Sequence, residues 1–192
     1  MSKYVKLKKI EKKVKNCKKC NLSKTRINIV YGKGSVNAKI MFIGEAPGRN
    51  EDKQGLPFIG HAGTFLDELL ESINLKRNEV YITNILKCRP PKNRNPSKKE
   101  INACRDFLDK QIDIVKPKII CPLGNSASSY ILKKYFLNPK KISEIHGKTF
   151  KIKSSFDDLI ILPLYHPAYS IYNIKSKKIL INDFKKIKNL LS

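Results

Sequence analysis

Four cysteines in two groups are the residues whose spacing first suggests chemistry. Cys17 and Cys20 are separated by two residues in KNCKKCNLSK, and Cys88 and Cys104 follow after a long gap. Thiolates bind metals, and the neighbouring lysines favour the thiolate form, so the set suggests a metal ion or an iron–sulfur cluster. The alternative is that they are scattered small apolar residues, which fits poorly with lysines around the first pair. Cys121, in KIICPLG, is expected to be an ordinary core residue.

A glycine-rich segment, GEAPGRNEDKQGLPFIG at residues 44 to 60, carries the second set of chemical groups. No G-K-[ST] follows it and it lacks the Gly-x-Gly-x-x-Gly pattern, which disfavours a nucleotide-binding enzyme. Instead it holds three carboxylates, Glu45, Glu51 and Asp52. The alternative for Glu51 and Asp52 is a solvated loop face. Phe58 is either plain core or a ring on which a flat base stacks.

Two single polar residues belong to the same analysis. Asn84 lies in the apolar run VYITNIL, where a buried amide must find partners. It either bonds a neighbouring loop or matches a uracil edge, which presents N3–H and O4. His166, in LPLYHPAY, follows an apolar strand, a place where a loop can hold a side chain over a cleft. His61 and His146 lack such a context and are expected to be non-catalytic.

These residues must be positioned by alternating strands and helices. Apolar runs predict strands at 38–44, 79–87, 117–124, 148–152 and 159–165, with a turn at 154–158. Amphipathic patterns predict helices at 3–16, 63–75, 98–115, 125–136 and 175–191. Ser97 is the expected cap of the third helix, with Glu100 in the capping-box position.

This alternation predicts an α/β fold with a mostly parallel sheet of four to five strands. In such sheets the ligand site lies beyond the carboxyl ends of the strands. Three strand ends carry the polar groups, namely GEAPG, TNILKCRPP and YHPAYS, so we expect them to meet. A chain of 192 residues is expected to form one domain, residues 1–192, that begins with a basic helix and a cysteine-containing segment.

The charge indicates the class of partner. Forty Lys and Arg residues against sixteen Asp and Glu residues leave a formal net charge of +24, and the phosphates of a nucleic acid are the natural counterpart of such a charge. A Lys-rich composition typical of an AT-rich genome is the alternative for part of this excess. An acidic membrane surface is disfavoured, because no basic amphipathic helix carries Trp or Phe anchors. No apolar run has bilayer length, so we expect a soluble cytoplasmic protein.

The ordered set of motifs resembles family 4 uracil-DNA glycosylases, the iron–sulfur branch of the uracil-DNA glycosylase superfamily. The match comprises C-x2-C near the start, GKGSVNAKIMFIGEAPGRNEDKQGLPFIGHAG, YITNILKCRPPKNRNPS, the fourth cysteine and LYHPAY. The resemblance implies a three-layer α/β/α sandwich and hydrolysis of the bond between uracil and deoxyribose in DNA. One branch of the superfamily that uses a covalent histidine carries an Arg-rich insert ending in His after the second strand. The segment CRPPKNRNPSKKE at that place has no His, which disfavours this branch.

The resemblance also implies roles for residues. It implies one 4Fe-4S cluster held by Cys17, Cys20, Cys88 and Cys104. It implies that His166 donates a hydrogen bond to uracil O2, that Phe58 stacks on the flipped base and that Asn84 reads N3 and O4, with Gly44 and Ala46 also in the substrate site. The best-known members have Asp at the position of Ala46, which leaves Glu45 and Glu51 as the candidate catalytic carboxylates.

The partner implied is uracil-containing DNA, single- or double-stranded. Arg89, Lys92 and Arg94 are expected to contact phosphates, with solvated charge as the alternative, and Tyr169 or Ile171 is expected to fill the gap left by the base. A contact with a replication clamp stays open, and we expect a monomer. Two rival hypotheses remain: a non-catalytic nucleic-acid-binding protein with a structural metal, and the same fold with zinc in place of the cluster.

Overall fold

The structure is a computed structural model that describes residues 1–153, 158–170 and 174–191. Ile171 and residues 154–157 of the predicted turn lie outside these ranges. The strands among the described residues are β1 Lys33–Gly34, β2 Ile40–Gly44, β3 Tyr81–Asn84, β4 Ile119–Pro122, β5 Phe150–Ile152 and β6 Leu159–Ile161. The helices there are α1 Lys3–Lys15, α2 Arg49–Gln54, α3 His61–Glu71, α4 Lys98–Val115, α5 Gly124–Lys134, α6 Ile142–Ile145, α7 Pro167–Ser170 and α8 Ile174–Leu191.

The strands form one sheet in the order β1-β3-β2-β4-β6-β5. The four inner strands are parallel to one another, and the two edge strands are antiparallel to their neighbours. This confirms the predicted α/β fold with a mostly parallel sheet. Six strands are present in the described part of the chain rather than four to five. The additional one is the edge strand Lys33–Gly34, whose two residues are too few to show an alternating apolar pattern.

Helices cover both faces of the sheet, so the molecule has three layers. Met41 and Ile43 of β2 point into one core, with apolar residues of α1, α4 and α5. Ile40 and Phe42 point into the other, with residues of α3 and α8. Strands buried on both faces explain the nearly continuous apolar runs that marked them in the sequence.

Local sequence signals account for α4 better than for the helices near the site. Its bounds are those predicted, and the Ser97 hydroxyl accepts from the Glu100 amide while the Glu100 carboxylate accepts from the Ser97 amide. By contrast α2, α6 and α7 have four to six residues each and were not predicted. Such helices are too short to show an amphipathic period.

The carboxyl ends of the parallel strands meet at one edge of the sheet. Gly44, the last residue of β2, is the register partner of Asn84, the last residue of β3. A bridge between Leu123 and Leu164 continues the pairing past β4 and β6, two residues before His166. The topology therefore places the three predicted strand-end motifs at the same end of the sheet, with the end of β4 between those of β2 and β6. No helix among the described residues has the length and apolar character needed to cross a bilayer.

Candidate active site

A cleft of about 900 Å³ opens at this edge of the sheet. The predicted site residues that line it are Glu45, Ala46, Glu51, Phe58, Asn84, Arg94, His166 and Tyr169. Its wall also includes polar residues that the sequence reading did not single out, among them Asn125, Ser126 and Ser143. Residues from four separate strand ends thus share one cavity.

Phe58 and Asn84 approach each other over Gly44. A Cβ atom added to Gly44 would lie 2.3 Å from Asn84 Oδ1 and 2.7 Å from Phe58 Cζ, so only glycine leaves room for both side chains. The Phe58 ring also stacks on the His166 imidazole, with centroids 5.6 Å apart and planes inclined by 29°. The ring, the amide and the imidazole therefore converge on one small volume.

The Asn84 side chain is buried, with 2% of its surface exposed. Within the described residues its Oδ1 atom has no hydrogen-bond partner, so this atom does not bond a neighbouring loop. An unpaired buried acceptor costs about 1–3 kcal/mol. Such an atom at the wall of a cleft is suited to an N–H group of a ligand, which would supply the missing bond.

A buried lysine holds the backbone beneath Asn84. Lys87 Nζ donates to the Asn84 carbonyl oxygen at 2.7 Å, to Thr83 Oγ1 at 2.7 Å and to Gln111 Oε1 at 2.6 Å. Burial lowers the pKa of Lys87 to about 7. The sequence reading missed this network, although a lysine inside the run ITNILK was the available signal.

His166 is held as a neutral imidazole. Burial lowers its pKa to about 4, and the negative charge of Glu51 opposes that shift only in part. The Ala168 amide donates to Nδ1 at 3.2 Å, so Nδ1 is the acceptor nitrogen. The proton of the neutral ring therefore resides on Nε2, which makes His166 a hydrogen-bond donor.

The three carboxylates of the segment have different environments. Glu51 Oε1 accepts from the Ile59 amide at 2.8 Å and the Gly60 amide at 2.9 Å, which holds this carboxylate at the cleft wall. Glu45 lies half-buried at the same wall. Asp52 is buried and accepts from the amides of residues 27 and 28. A solvated loop face is therefore wrong for Asp52, which anchors the N-terminal segment instead.

The four predicted metal ligands line a second, smaller cavity. Cys17, Cys20, Cys88 and Cys104 all border it, and Arg26 Nη1 donates to Cys88 Sγ at 3.1 Å. Burial raises the pKa of the Cys104 thiol to about 11. Among the described residues, no three His, Cys, Asp or Glu side chains are close enough to hold a single metal ion. Cys121 lies fully buried in the core, as predicted.

The basic residues predicted to contact DNA differ in whether their side chains already bond to other groups of the protein. Lys92 is exposed, and Arg89 Nε donates to Asn93 Oδ1 at 2.6 Å. Arg94 forms a bidentate ion pair with Glu100, at 2.9 and 2.6 Å. The Arg94 guanidinium lowers the pKa of Glu100 to about 2. The charge of Arg94 is thus largely neutralised within the protein.

Tyr169 and the two other histidines were also singled out in the sequence. Tyr169 is 59% exposed beside the cleft, and its ring stacks on Tyr165 with centroids 5.2 Å apart. His146 Nδ1 lies 2.6 Å from Asp183 Oδ2, and His61 is exposed. Neither His61 nor His146 lines the cleft.

Comparison with known proteins identifies what this chain is similar to. The family described as the uracil DNA glycosylase superfamily matches residues 31–188. A Type-4 uracil-DNA glycosylase from Sulfurisphaera tokodaii is 49% identical over 185 residues, which are 96% of this chain and 84% of the relative. Proteins of the same description from Saccharolobus solfataricus and Archaeoglobus fulgidus are 45% and 42% identical, over 95% and 94% of this chain and 85% and 91% of their own lengths.

Proposed function

Because the chain belongs to the uracil DNA glycosylase superfamily, we propose that it is a DNA repair enzyme that excises uracil from DNA. It hydrolyses the N-glycosidic bond and leaves an abasic site. The observation that carries this proposal is the convergence of Phe58, Asn84 and His166 in one cleft. A base stacked in a duplex cannot reach such a cleft, so the enzyme acts on a base turned out of its strand.

Recognition of the base rests on Phe58 and Asn84. The Phe58 ring offers a flat apolar surface on which a pyrimidine stacks, with Ala46 and Gly44 at its margin. The unpaired Oδ1 of Asn84 accepts from uracil N3–H, and its amide nitrogen donates to O4. Cytosine has an acceptor at N3 and a donor at N4, so it would leave both groups of Asn84 unpaired. Wrong partners in a site of this kind are rejected strongly.

Bond cleavage develops negative charge on uracil and positive charge on the sugar. The neutral His166 ring donates from Nε2 to uracil O2 as that charge develops, an interaction worth about 3–4 kcal/mol for a fixed donor. Because the low pKa of His166 means that the ring has already lost its imidazolium proton at neutral pH, it keeps only the Nε2 proton, which a neutral imidazole holds too tightly to transfer. The donation is therefore electrostatic.

A carboxylate supports the sugar cation and the attacking water. Glu51 is the better candidate, because two backbone amides fix its Oε1 atom and its charge acts on His166 in the same cleft. The described residues give its Oε2 atom no hydrogen-bond donor, which leaves that atom for water or sugar. Glu45, directly after β2, is the alternative.

The basic surface supplies affinity for the DNA backbone. Lys92, Arg89 and the lysines near Cys17 contact phosphates, while Arg94 serves mainly to order the loop before α4 through Glu100. Tyr169, exposed beside the cleft, fills the space that the base vacates. Ile171 stays a prediction, as do the monomeric state and a contact with a replication clamp.

The donor residues around the second cavity suit a 4Fe-4S cluster with Cys17, Cys20, Cys88 and Cys104 as ligands. Among the described residues that border it are four thiols and no carboxylate or imidazole, and Arg26 donates a hydrogen bond to Cys88 Sγ, the kind of bond that tunes cluster sulfurs. Each cysteine of such a cluster binds a different iron, so convergence on a single point, as zinc requires, is unnecessary. The cluster would supply a cross-link between the N-terminal segment and residues 88–104.

The proposal is tested with an oligonucleotide that contains one uracil, in buffer with a magnesium chelator. We expect free uracil and a strand that breaks only on alkali treatment. His166→Ala should lower the excision rate by about 10²- to 10³-fold while DNA affinity is retained. Binding of DNA without any release of uracil by the unaltered protein would instead favour the non-catalytic nucleic-acid-binding alternative.

A further inference from the structure

Phe58 has an unusual backbone for an aromatic residue. Its φ of 52° lies in the left-handed region, which residues other than glycine rarely adopt. Such conformations persist only where the surrounding structure imposes them, and they concentrate at functional sites. Something must therefore hold the peptide at Phe58 so that its ring faces Gly44 and His166.

Arg77, outside the cleft, makes the contacts that can do this. Arg77 Nη2 donates to the Phe58 carbonyl oxygen at 2.8 Å and also to the carbonyl oxygen of Pro57. Its Nη1 atom donates to Asp67 Oδ1 on α3 at 2.7 Å. The planar guanidinium can make all three bonds at once, whereas the ammonium of lysine cannot span them in one plane.

The neighbouring chain also restricts the Phe58 peptide, independently of the Arg77 hydrogen bonds. A Cβ atom on Gly63 would lie 1.9 Å from the Phe58 carbonyl oxygen, so α3 passes directly under that peptide. The next two amides, of Ile59 and Gly60, are bound by Glu51. Glu51 thus holds the chain after Phe58, and Arg77 holds the chain before and at it.

We infer that Arg77 is a positioning residue for the uracil-excising reaction, which sets the Phe58 ring through the Phe58 and Pro57 carbonyls. It touches neither the base nor the sugar. This inference rests on the proposed function, because Phe58 must be the surface on which uracil stacks.

A double-mutant cycle tests it. The excision rate at saturating enzyme, the DNA dissociation constant and the thermal unfolding midpoint are measured for Arg77→Met, Phe58→Ala and the double variant. Arg105→Met is the matched control, because Arg105 pairs with Asp106 at 3.7 Å on an exposed part of α4. We expect Arg77→Met to lower the rate about three- to tenfold with unchanged DNA affinity, and to add nothing when Phe58 is already Ala.

Two outcomes overturn the inference. An unchanged rate in Arg77→Met, or the same loss in both Phe58 backgrounds, shows that Arg77 does not act through the ring. If the unaltered protein releases no uracil, the proposed function fails first, which is a separate result. Where Arg77→Met does not fold, Arg77→Lys and Asp67→Asn replace it. Arg77→Lys weakens the bonds to the Phe58 and Pro57 carbonyls, and Asp67→Asn weakens the ion pair that orients the same guanidinium, so both must lower the rate.

Discussion

The neutral state of His166 predicts an unusual pH profile for uracil excision. With a pKa of about 4, about 90% of the imidazole is still neutral at pH 5. An imidazole with the ordinary pKa of about 6.5 would be only about 3% neutral there. If excision requires the neutral donor, the rate should fall less than about twofold between pH 7 and pH 5, against about 25-fold for an unshifted histidine.

The assay is single-turnover release of uracil at saturating enzyme, so that changes in DNA affinity do not enter. His166→Gln is the control, because it keeps an N–H donor that does not titrate. A roughly 25-fold loss with an apparent pKa near 6.5 that disappears in His166→Gln would refute the reasoning.

The lowered pKa of His166 also makes the stability of the folded protein depend on pH. Between about pH 4 and pH 6.5 the unfolded chain binds a proton at His166 that the folded protein does not. This residue therefore lowers the free energy of unfolding as the pH decreases through that window, and it contributes nothing above it.

Two further predictions concern specificity and the cysteines. Asn84→Asp removes both amide N–H donors from the position facing O4, so the ratio of uracil to cytosine release from matched oligonucleotides should fall at least about tenfold; unchanged selectivity would remove Asn84 from base reading. Cys104→Ser should lose bound iron and the visible absorption of an iron–sulfur chromophore. The control variant Cys121→Ala should keep both. Zinc in place of iron in the unaltered protein would contradict the proposed cluster.

The parts of this molecule that were predictable are those with local or repeated signals. The capping box of Ser97 and Glu100 lies within four residues, so the start of α4 could be read directly. Phe58, Asn84 and His166 could be predicted to meet because each lies at or after the end of a strand, and parallel strands end at one edge of their sheet.

The contacts that position these residues left no such signal. Arg77 bonds Phe58 across 19 residues, and Lys87 bonds Gln111 across 24, and nothing in the intervening sequence indicates which partners will meet. Arg94 has a clear signal in the sequence but a different contact in the fold. Its basic side chain indicated a contact with DNA phosphate, and in the structure it pairs with Glu100. Charge in the sequence indicates an overall partner, whereas the use of each charge depends on its neighbours.

The central claim is that the cleft receives a uracil turned out of its strand onto Phe58. Its most direct test places 2-aminopurine next to 2′-fluoro-2′-deoxyuridine, which binds but resists cleavage, and follows fluorescence as protein is added. We predict a rise with the unaltered protein, because the neighbour unstacks, and a much smaller rise with Phe58→Ala at the same fraction bound. Tight binding with no rise in fluorescence would contradict the account.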